Sequence, residues 1–400
     1  MNGLSAGPEA LELSDTTTQQ FPTHVLNLGL GVDSVCVLLR WLNDPQSRTF
    51  ALDDLVVVTA ILGDEWASTM DLCERFLLPA MTRHRVRYVQ IGRTHLHTTR
   101  AGDGVTVLSD TRTPTRFYTE GAYRLSTEML TVGTVPQLGN RRCSIRAKGE
   151  PIDAILPKLT GGRTFVQYMG FEFNEQSRAQ RDSRYDNTTR RGAYPLIEWG
   201  WTRQDALDYI HSVTGVQWPK SACVMCPYAL ASKAGRVTAI ERYAAEPEAA
   251  IHALTIEHVA LALNPNQSLM AGARLVDAIA AAGHAGIIAE FSDRISELSH
   301  GVYEVRRVAR PRAGTTPMVA RSVAKLHTGT RAEALAVLAS MPGSREVGAD
   351  GIVRMVARPR GESAPWAEQY FVACPATVES KARPSFGRMW REVTGEDGLF

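Results

Sequence analysis

Three groups of residues in this 400-residue chain have the types and spacing to do chemistry. The first is "LNLGLGVDS", where Gly29, Leu30, Gly31, Val32, Asp33 and Ser34 follow an apolar run. Gly29 and Gly31 let the backbone turn sharply and bring bare N–H groups toward a ligand. Asp33 and Ser34 fall where a helix starts, and orphan N–H groups together with the helix dipole favour an anion there. The stretch lacks the lysine of a G-x-x-x-x-G-K-[ST] loop, yet its backbone alone suits phosphate. It fits equally an ordinary strand-to-helix turn with Asp33 as the cap. The second group is Cys223 and Cys226, a C-x-x-C followed by Pro227. Such a turn points two sulfurs at one metal, zinc included, and a redox dithiol without metal is the alternative. The third group is basic. Arg178 and Arg181 have the fork geometry for phosphate, or else they are surface ion pairs. Lys148 and Lys220, each near a cysteine in sequence, either steady a thiolate or an anionic substrate, or face solvent.

These groups need elements to hold them. "HVLNLGL" reads as a strand and "SVCVLLRWL" as the start of a helix. "DLVVVTAIL" is a continuous apolar run, suited to a strand covered on both faces. "TMDLCERFLLPAM" is amphipathic, and "VRYVQIG" is the next strand. "TFVQYMGF" resumes the sheet after a polar, irregular stretch at about 98–130, long enough to be a lid or a mobile segment. "TRQDALDYIHSVTG" is a helix with Thr202 as N-cap, Asp205 at the capping-box position and Gly215 as stop. The alternation predicts an α/β fold, a doubly wound and mostly parallel sheet with right-handed crossovers. The glycine turn then ends the first strand, where ligands of such folds sit. Residues 1–20 read as a loose tail and 21–235 as the α/β domain. Residues 236–300 are alanine-rich and helical, and 301–400 form an α+β region with a mild basic excess. Cys36 and Cys73 read as core on apolar helical faces, and Cys374 as a strand residue without chemistry.

Bulk properties narrow the classes. The formal net charge is +2 and the chain is 44% hydrophobic, so charge alone predicts no nucleic-acid or membrane partner. No apolar run approaches the roughly 18 residues of a membrane helix. The N-terminus is polar, with no apolar signal core, so a cytoplasmic location is expected. There thiols stay reduced, which argues against a disulfide framework.

The glycine turn resembles the S-G-G-x-D-S pyrophosphate loop of PP-loop ATP pyrophosphatases, with Gly29 in place of the serine and Leu30 in place of the first glycine. Further matches follow in order. "GDEWAST" (63–69) is similar to the G-x-E-x-x-x-T segment of phosphoadenosine-phosphosulfate reductase-like proteins. "CSIRAKGEPI" (143–152) resembles their C-x4-K-x2-P-[IL], and "GFEFNEQSRAQR" (170–181) their G-x-x-x-x-E-S-x-x-R. "YPLIEWGWTRQDALDYI" and "KSACVMCPY" complete the series, which spans about residues 22–230. The resemblance implies a HUP-like fold that binds ATP and Mg²⁺. A nucleophilic oxygen attacks the α-phosphorus and pyrophosphate leaves, stabilised by N–H groups and the ion. Gly29, Leu30, Gly31, Val32, Asp33 and Ser34 would hold phosphate, Gly63 and Glu65 would join the ATP site, and Arg181 would clamp phosphate. Asp33, Ser34, Lys148 and Arg178 are the implied catalytic residues.

Through the same resemblance Cys143 joins Cys223 and Cys226. Three thiolates can hold three irons of a 4Fe–4S cluster and leave the fourth open for an extra sulfide, with zinc as the alternative. The expected function is an ATP-dependent sulfurtransferase that adenylates an acceptor, either nucleic acid or a small molecule. Its sulfur would come from a donor such as a cysteine desulfurase. Two other readings stand beside it. A sulfonucleotide reductase would need an E-C-G-[IL]-H segment, which is absent, and adenylyl-sulfate reductases carry a paired C-C where Cys143 is followed by Ser144. A catalytically silent nucleotide-binding module is the third.

Overall fold

Residues 21–94, 98–99, 101–119, 123–139, 141–312 and 314–395 are described by a computed structural model. The expected tail, 1–20, lies outside the described residues. The chain divides into two units: residues up to Leu125 with Gln137–Val224, and Ser126–Pro136 with residues from Met225 on.

The first unit is built on six strands: β1 (His24–Asn27), β2 (Leu55–Ala60), β3 (Arg87–Arg93), β4 (Val105–Thr111), β5 (Phe165–Tyr168) and β6 (Arg190–Ala193). Their order in the sheet is β4-β3-β2-β1-β5-β6. All pairings are parallel except that of β4, which runs antiparallel on the edge of β3. Every residue of β2 is buried, because helices cover both faces of the sheet. Successive strand residues point to opposite faces, so Leu26 and Val57 pack with helix α1 (Val32–Asn43) and with Ala206 and Ile210 of the Arg203–Thr214 helix. Val25, Val56 and Val58 meet Ile152, Ile155 and Leu159 of the Glu150–Thr160 helix on the other face. Each such aliphatic side chain contributes roughly 1.5–3 kcal/mol on burial. The strand order reverses at β1, with β2 and β3 to one side and β5 and β6 to the other. Such a reversal leaves a crevice beyond the carboxyl end of the strand.

The helix starting at Arg203 is capped as its sequence predicts. Asp205 accepts the Thr202 N–H at 2.8 Å, and Gly215 ends the helix at φ +74°. The polar stretch at 98–130 is not irregular throughout, since it contains β4. Only Val107 and Leu108 of that strand are buried, so an edge strand gives a weak apolar signal.

The second unit begins with helices, among them Lys233–Ala245, Pro247–Leu263, Leu275–Ala281 and Ala285–Glu297. Five antiparallel strands follow: β7 (His300–Arg312), β8 (Thr315–Gly329), β9 (Ser344–Val347), β10 (Val353–Arg358) and β11 (Trp366–Pro375), in the order β8-β7-β11-β10-β9. Val259, Ala262 and Leu263 pack on Val305, Tyr370 and Val372, so the helical and α+β stretches share one core. Leu130 joins that core, and Arg321 donates to the carbonyls of Val132 and Gly133 at 2.8 and 3.1 Å, which ties 126–136 to this unit. Ala334 and Leu338 of the Arg331–Ala339 helix join Val302, Met355 and Phe371 in a separate cluster on this sheet. Among the described residues no helix is long and apolar enough to cross a membrane.

Candidate active site

The glycine turn leaves β1 at the strand-order reversal. Leu28 N–H still pairs with Val58 O at 2.9 Å, and the chain then turns through Gly29–Gly31 into α1. Leu30 takes φ +61°, a left-handed geometry that costs a side-chain-bearing residue roughly 1–2 kcal/mol. Two things hold it there. Its side chain is 3% exposed within the core, and its carbonyl accepts the Trp218 indole N–H at 3.1 Å. Gly29 O accepts the Ser221 hydroxyl at 2.7 Å, and Gly29 N–H donates to Ser34 Oγ at 3.1 Å. Space disfavours a β-carbon at Gly31 and at Gly170, though not at Gly29. A β-carbon on Gly31 would lie 3.0 Å from Ser221 Cβ, and one on Gly170 would lie 2.6 Å from Ser34 N. No side chain caps α1 at Gly31, so its first N–H groups keep the anion-binding character of a bare helix start.

Charge gathers beside this turn. Asp33 Oδ2 accepts from Arg203 Nη2 at 2.6 Å, whereas Asp33 Oδ1 is buried with no partner. Burial pushes the Asp33 carboxyl up to about 6 against the pull of Arg203; Glu175 and Glu172 add to the rise and Arg178 opposes it. Arg178 pairs with Glu175 at 2.5 Å and stacks on the Phe171 ring at 4.4 Å. Glu175 Oε2 is buried without a donor. Beyond β2, Gly63 sits at φ +79°, and a β-carbon there would lie 2.7 Å from Arg124 Cγ. Glu65 Oε1 accepts the Leu62 N–H at 2.8 Å, but Oε2 is buried without a donor. Among the described residues, Asp33, Glu65 and Glu175 are the carboxylates with such a bare buried oxygen. They follow the carboxyl ends of β1, β2 and β5 in turn. Each bare oxygen costs about 1–3 kcal/mol or more, a cost that a donor or cation on a ligand would offset.

Arg181 is exposed and donates to Ser177 O at 3.0 Å within its own helix. Lys148 is half-buried on the Ile145–Gly149 turn and forms no ion pair with a described residue. Lys220 is exposed. Cys143 is half-buried in the short Arg142–Ser144 helix. Cys223 is buried and bridges the Glu65 backbone, and Val224 N–H donates to Asp64 O at 2.9 Å. Cys226 belongs to the second unit, and its carbonyl accepts Ala229 N–H at 3.1 Å. None of the six cysteines is in a disulfide. Burial pushes the Cys36 and Cys374 thiols up to about 12 and raises Cys73 as well, in keeping with inert core positions. Among the described residues no group of three or more His, Cys, Asp or Glu side chains is arranged to hold a metal ion.

Arg203, Glu175, Trp218 and Ser221 are not among the residues singled out from sequence. Arg203 carried a usable signal: it is a cation in the first turn of its helix, where the dipole disfavours one. A cation in that place has a target elsewhere. Trp218 and Ser221 carry no comparable mark. No protein-family model, curated protein or solved structure matches this chain.

Proposed function

We propose that the first unit is a doubly wound, HUP-like domain of the PP-loop ATP pyrophosphatase type, similar to phosphoadenosine-phosphosulfate reductase-like proteins. It binds ATP and transfers AMP to an acceptor oxygen, releasing pyrophosphate. The observation that carries this reading is the Gly29–Ser34 turn at the strand-order reversal, with bare buried carboxylate oxygens on Asp33, Glu65 and Glu175 after the carboxyl ends of β1, β2 and β5. Backbone N–H groups of the turn and of the α1 start stabilise the charge that develops on the leaving pyrophosphate. Asp33 Oδ1, a buried acceptor with no donor, fits a Mg²⁺ ion. Such an ion, when bound, neutralises the pyrophosphate. Arg203 keeps the other Asp33 oxygen fixed, and Glu65 Oε2 offers an acceptor to the hydroxyl or amino donors of the nucleoside. Leu30 adopts the backbone region that glycine prefers, which supports a working nucleotide loop over a silent turn.

The direct test is calorimetry with α,β-methylene-ATP and Mg²⁺, followed by product analysis with α-labelled ATP. Binding, and AMP with pyrophosphate as products, are expected. No binding up to millimolar concentration, or ADP with phosphate as products, overturns the reading. Sulfur transfer to the activated acceptor, a nucleic acid or a small molecule, is the second part of the proposal. Its sulfur would come from a donor such as a cysteine desulfurase. Cys143, Cys223 and Cys226 are the candidate ligands for a 4Fe–4S cluster, with zinc as the alternative. Anaerobic metal analysis should give about four irons per chain; stoichiometric zinc without iron sinks the open-cluster idea.

A further inference from the structure

The stretch Trp218–Val224 leads to the cysteines, but its contacts are with the nucleotide segments. At one end the Trp218 indole N–H holds the Leu30 carbonyl at 3.1 Å, and the Ser221 hydroxyl holds the Gly29 carbonyl at 2.7 Å. At the other end Val224 N–H holds the Asp64 carbonyl at 2.9 Å, and Cys223 bridges Glu65. One run of seven residues thus fastens the turn after β1 and the turn after β2.

Peptide geometry gives these bonds a consequence. In a trans peptide the C=O and the following N–H point in opposite directions. With the Gly29 and Leu30 carbonyls turned toward the 218–221 segment, the N–H groups of Leu30 and Gly31 are turned away from it. Leu30 holds φ +61° while this happens, so the turn is strained and needs an external hold. Ser221 also fills the space beside Gly31, where a β-carbon would lie 3.0 Å from Ser221 Cβ.

We propose that Trp218–Val224 is a strap that sets the aim of the phosphate loop, with Trp218 and Ser221 as its positioning residues. The strap rests on its own hydrogen bonds; that the loop it aims binds pyrophosphate rests on the function proposed above. Neither residue touches the ligand. Each acts by fixing which way the loop's donors face, so that the segment carrying Cys223 and the nucleotide loop move as one piece.

The test uses the full chain with Ser221→Ala, Ser221→Thr and Trp218→Phe. Two readouts are taken: amide hydrogen exchange over residues 29–34 without ligand, and calorimetric affinity for inorganic pyrophosphate with Mg²⁺. Loss of one such hydrogen bond should speed exchange and weaken pyrophosphate binding by roughly threefold to tenfold in the Ala and Phe variants. The Thr variant, which keeps the hydroxyl, should match the wild type. Unchanged exchange in both Ala and Phe variants overturns the strap whether or not pyrophosphate binds. Faster exchange with unchanged pyrophosphate affinity overturns the positioning role. Faster exchange in a protein whose wild type binds no pyrophosphate keeps the strap and instead overturns the nucleotide reading. If Trp218→Phe does not fold, Ser221→Ala with Ser221→Thr decides alone.

Discussion

Glu257 in the second unit and Asp33 in the first are both carboxylates taken out of water, and they are bonded differently. Glu257 is 2% exposed, and its two oxygens accept the Leu269 and Leu275 N–H groups at 2.9 and 2.7 Å. Asp350, in the same unit, takes both terminal nitrogens of Arg354 at 3.1 and 2.7 Å as well as the Ile352 N–H. Asp33, Glu65 and Glu175 each keep one oxygen bonded and one bare. The contrast follows position along the strand as well as unit. Arg87, at the amino-terminal end of β3, and Asp110 of the neighbouring β4 form a satisfied two-point pair at 2.9 and 2.7 Å. Native proteins rarely leave buried acceptors bare. Where several follow the carboxyl ends of parallel strands, the proposed function assigns the missing partners to a ligand; where every oxygen is met, the carboxylate is fastening the fold.

That contrast can be broken at either side. The largest effect is expected from Asp33→Ala, which should lower pyrophosphate release at least about a hundredfold with an unchanged circular dichroism spectrum. Full activity would move Asp33 to the fastening class. Glu257→Ala should do the opposite. Removing both charged hydrogen bonds should cost about 3 kcal/mol in chemical denaturation and leave α,β-methylene-ATP affinity untouched.

The third effect is on pH. The folded-state value of Asp33 is raised to about 6 from 3.8, so the native state holds this proton more tightly than the unfolded chain. The Asp33 contribution to stability, read as wild type minus Asp33→Asn, should therefore fall as pH rises from about 4 to about 6 and stay flat above, by on the order of 2–3 kcal/mol. Asp33→Asn should lack that fall and be the more stable protein at pH 7; parallel curves would show that Asp33 carries no burial penalty. The smallest effect is expected from Arg203→Gln. Its side chain is 40% exposed, so nucleotide affinity should weaken only about threefold to tenfold, and a change of hundredfold would make Arg203 a ligand contact.

The sequence told most where one element reports on itself. β2 is legible because three consecutive valines suit a strand buried on both faces, and the Arg203–Thr214 helix because its cap and stop are local chemistry. β6 (sequence RRGA) is not, since none of its residues is buried and register with β5 alone makes it a strand. The turn at Gly29–Ser34 was legible as a possible phosphate loop, but its supports were not. Trp218 lies 188 residues from Leu30, and Arg203 lies 170 from Asp33. Such pairs are brought together by tertiary packing, which leaves no periodic trace in the chain. The three cysteines show the reverse, a strong local spacing at Cys223 and Cys226 that the boundary between the two units divides.

Leu30 also has a thermodynamic consequence. Its side chain belongs to the core, so the turn cannot rearrange without disturbing the packing of β1 and α1. The entropy of ordering this loop is therefore lost when the chain folds, not when a ligand arrives. A nucleotide should meet a loop already in its bound shape, with a small heat-capacity change and little loss of chain freedom on association. A glycine at position 30 would relieve the strained backbone and leave the loop softer, shifting that ordering cost from the folding reaction to the binding reaction.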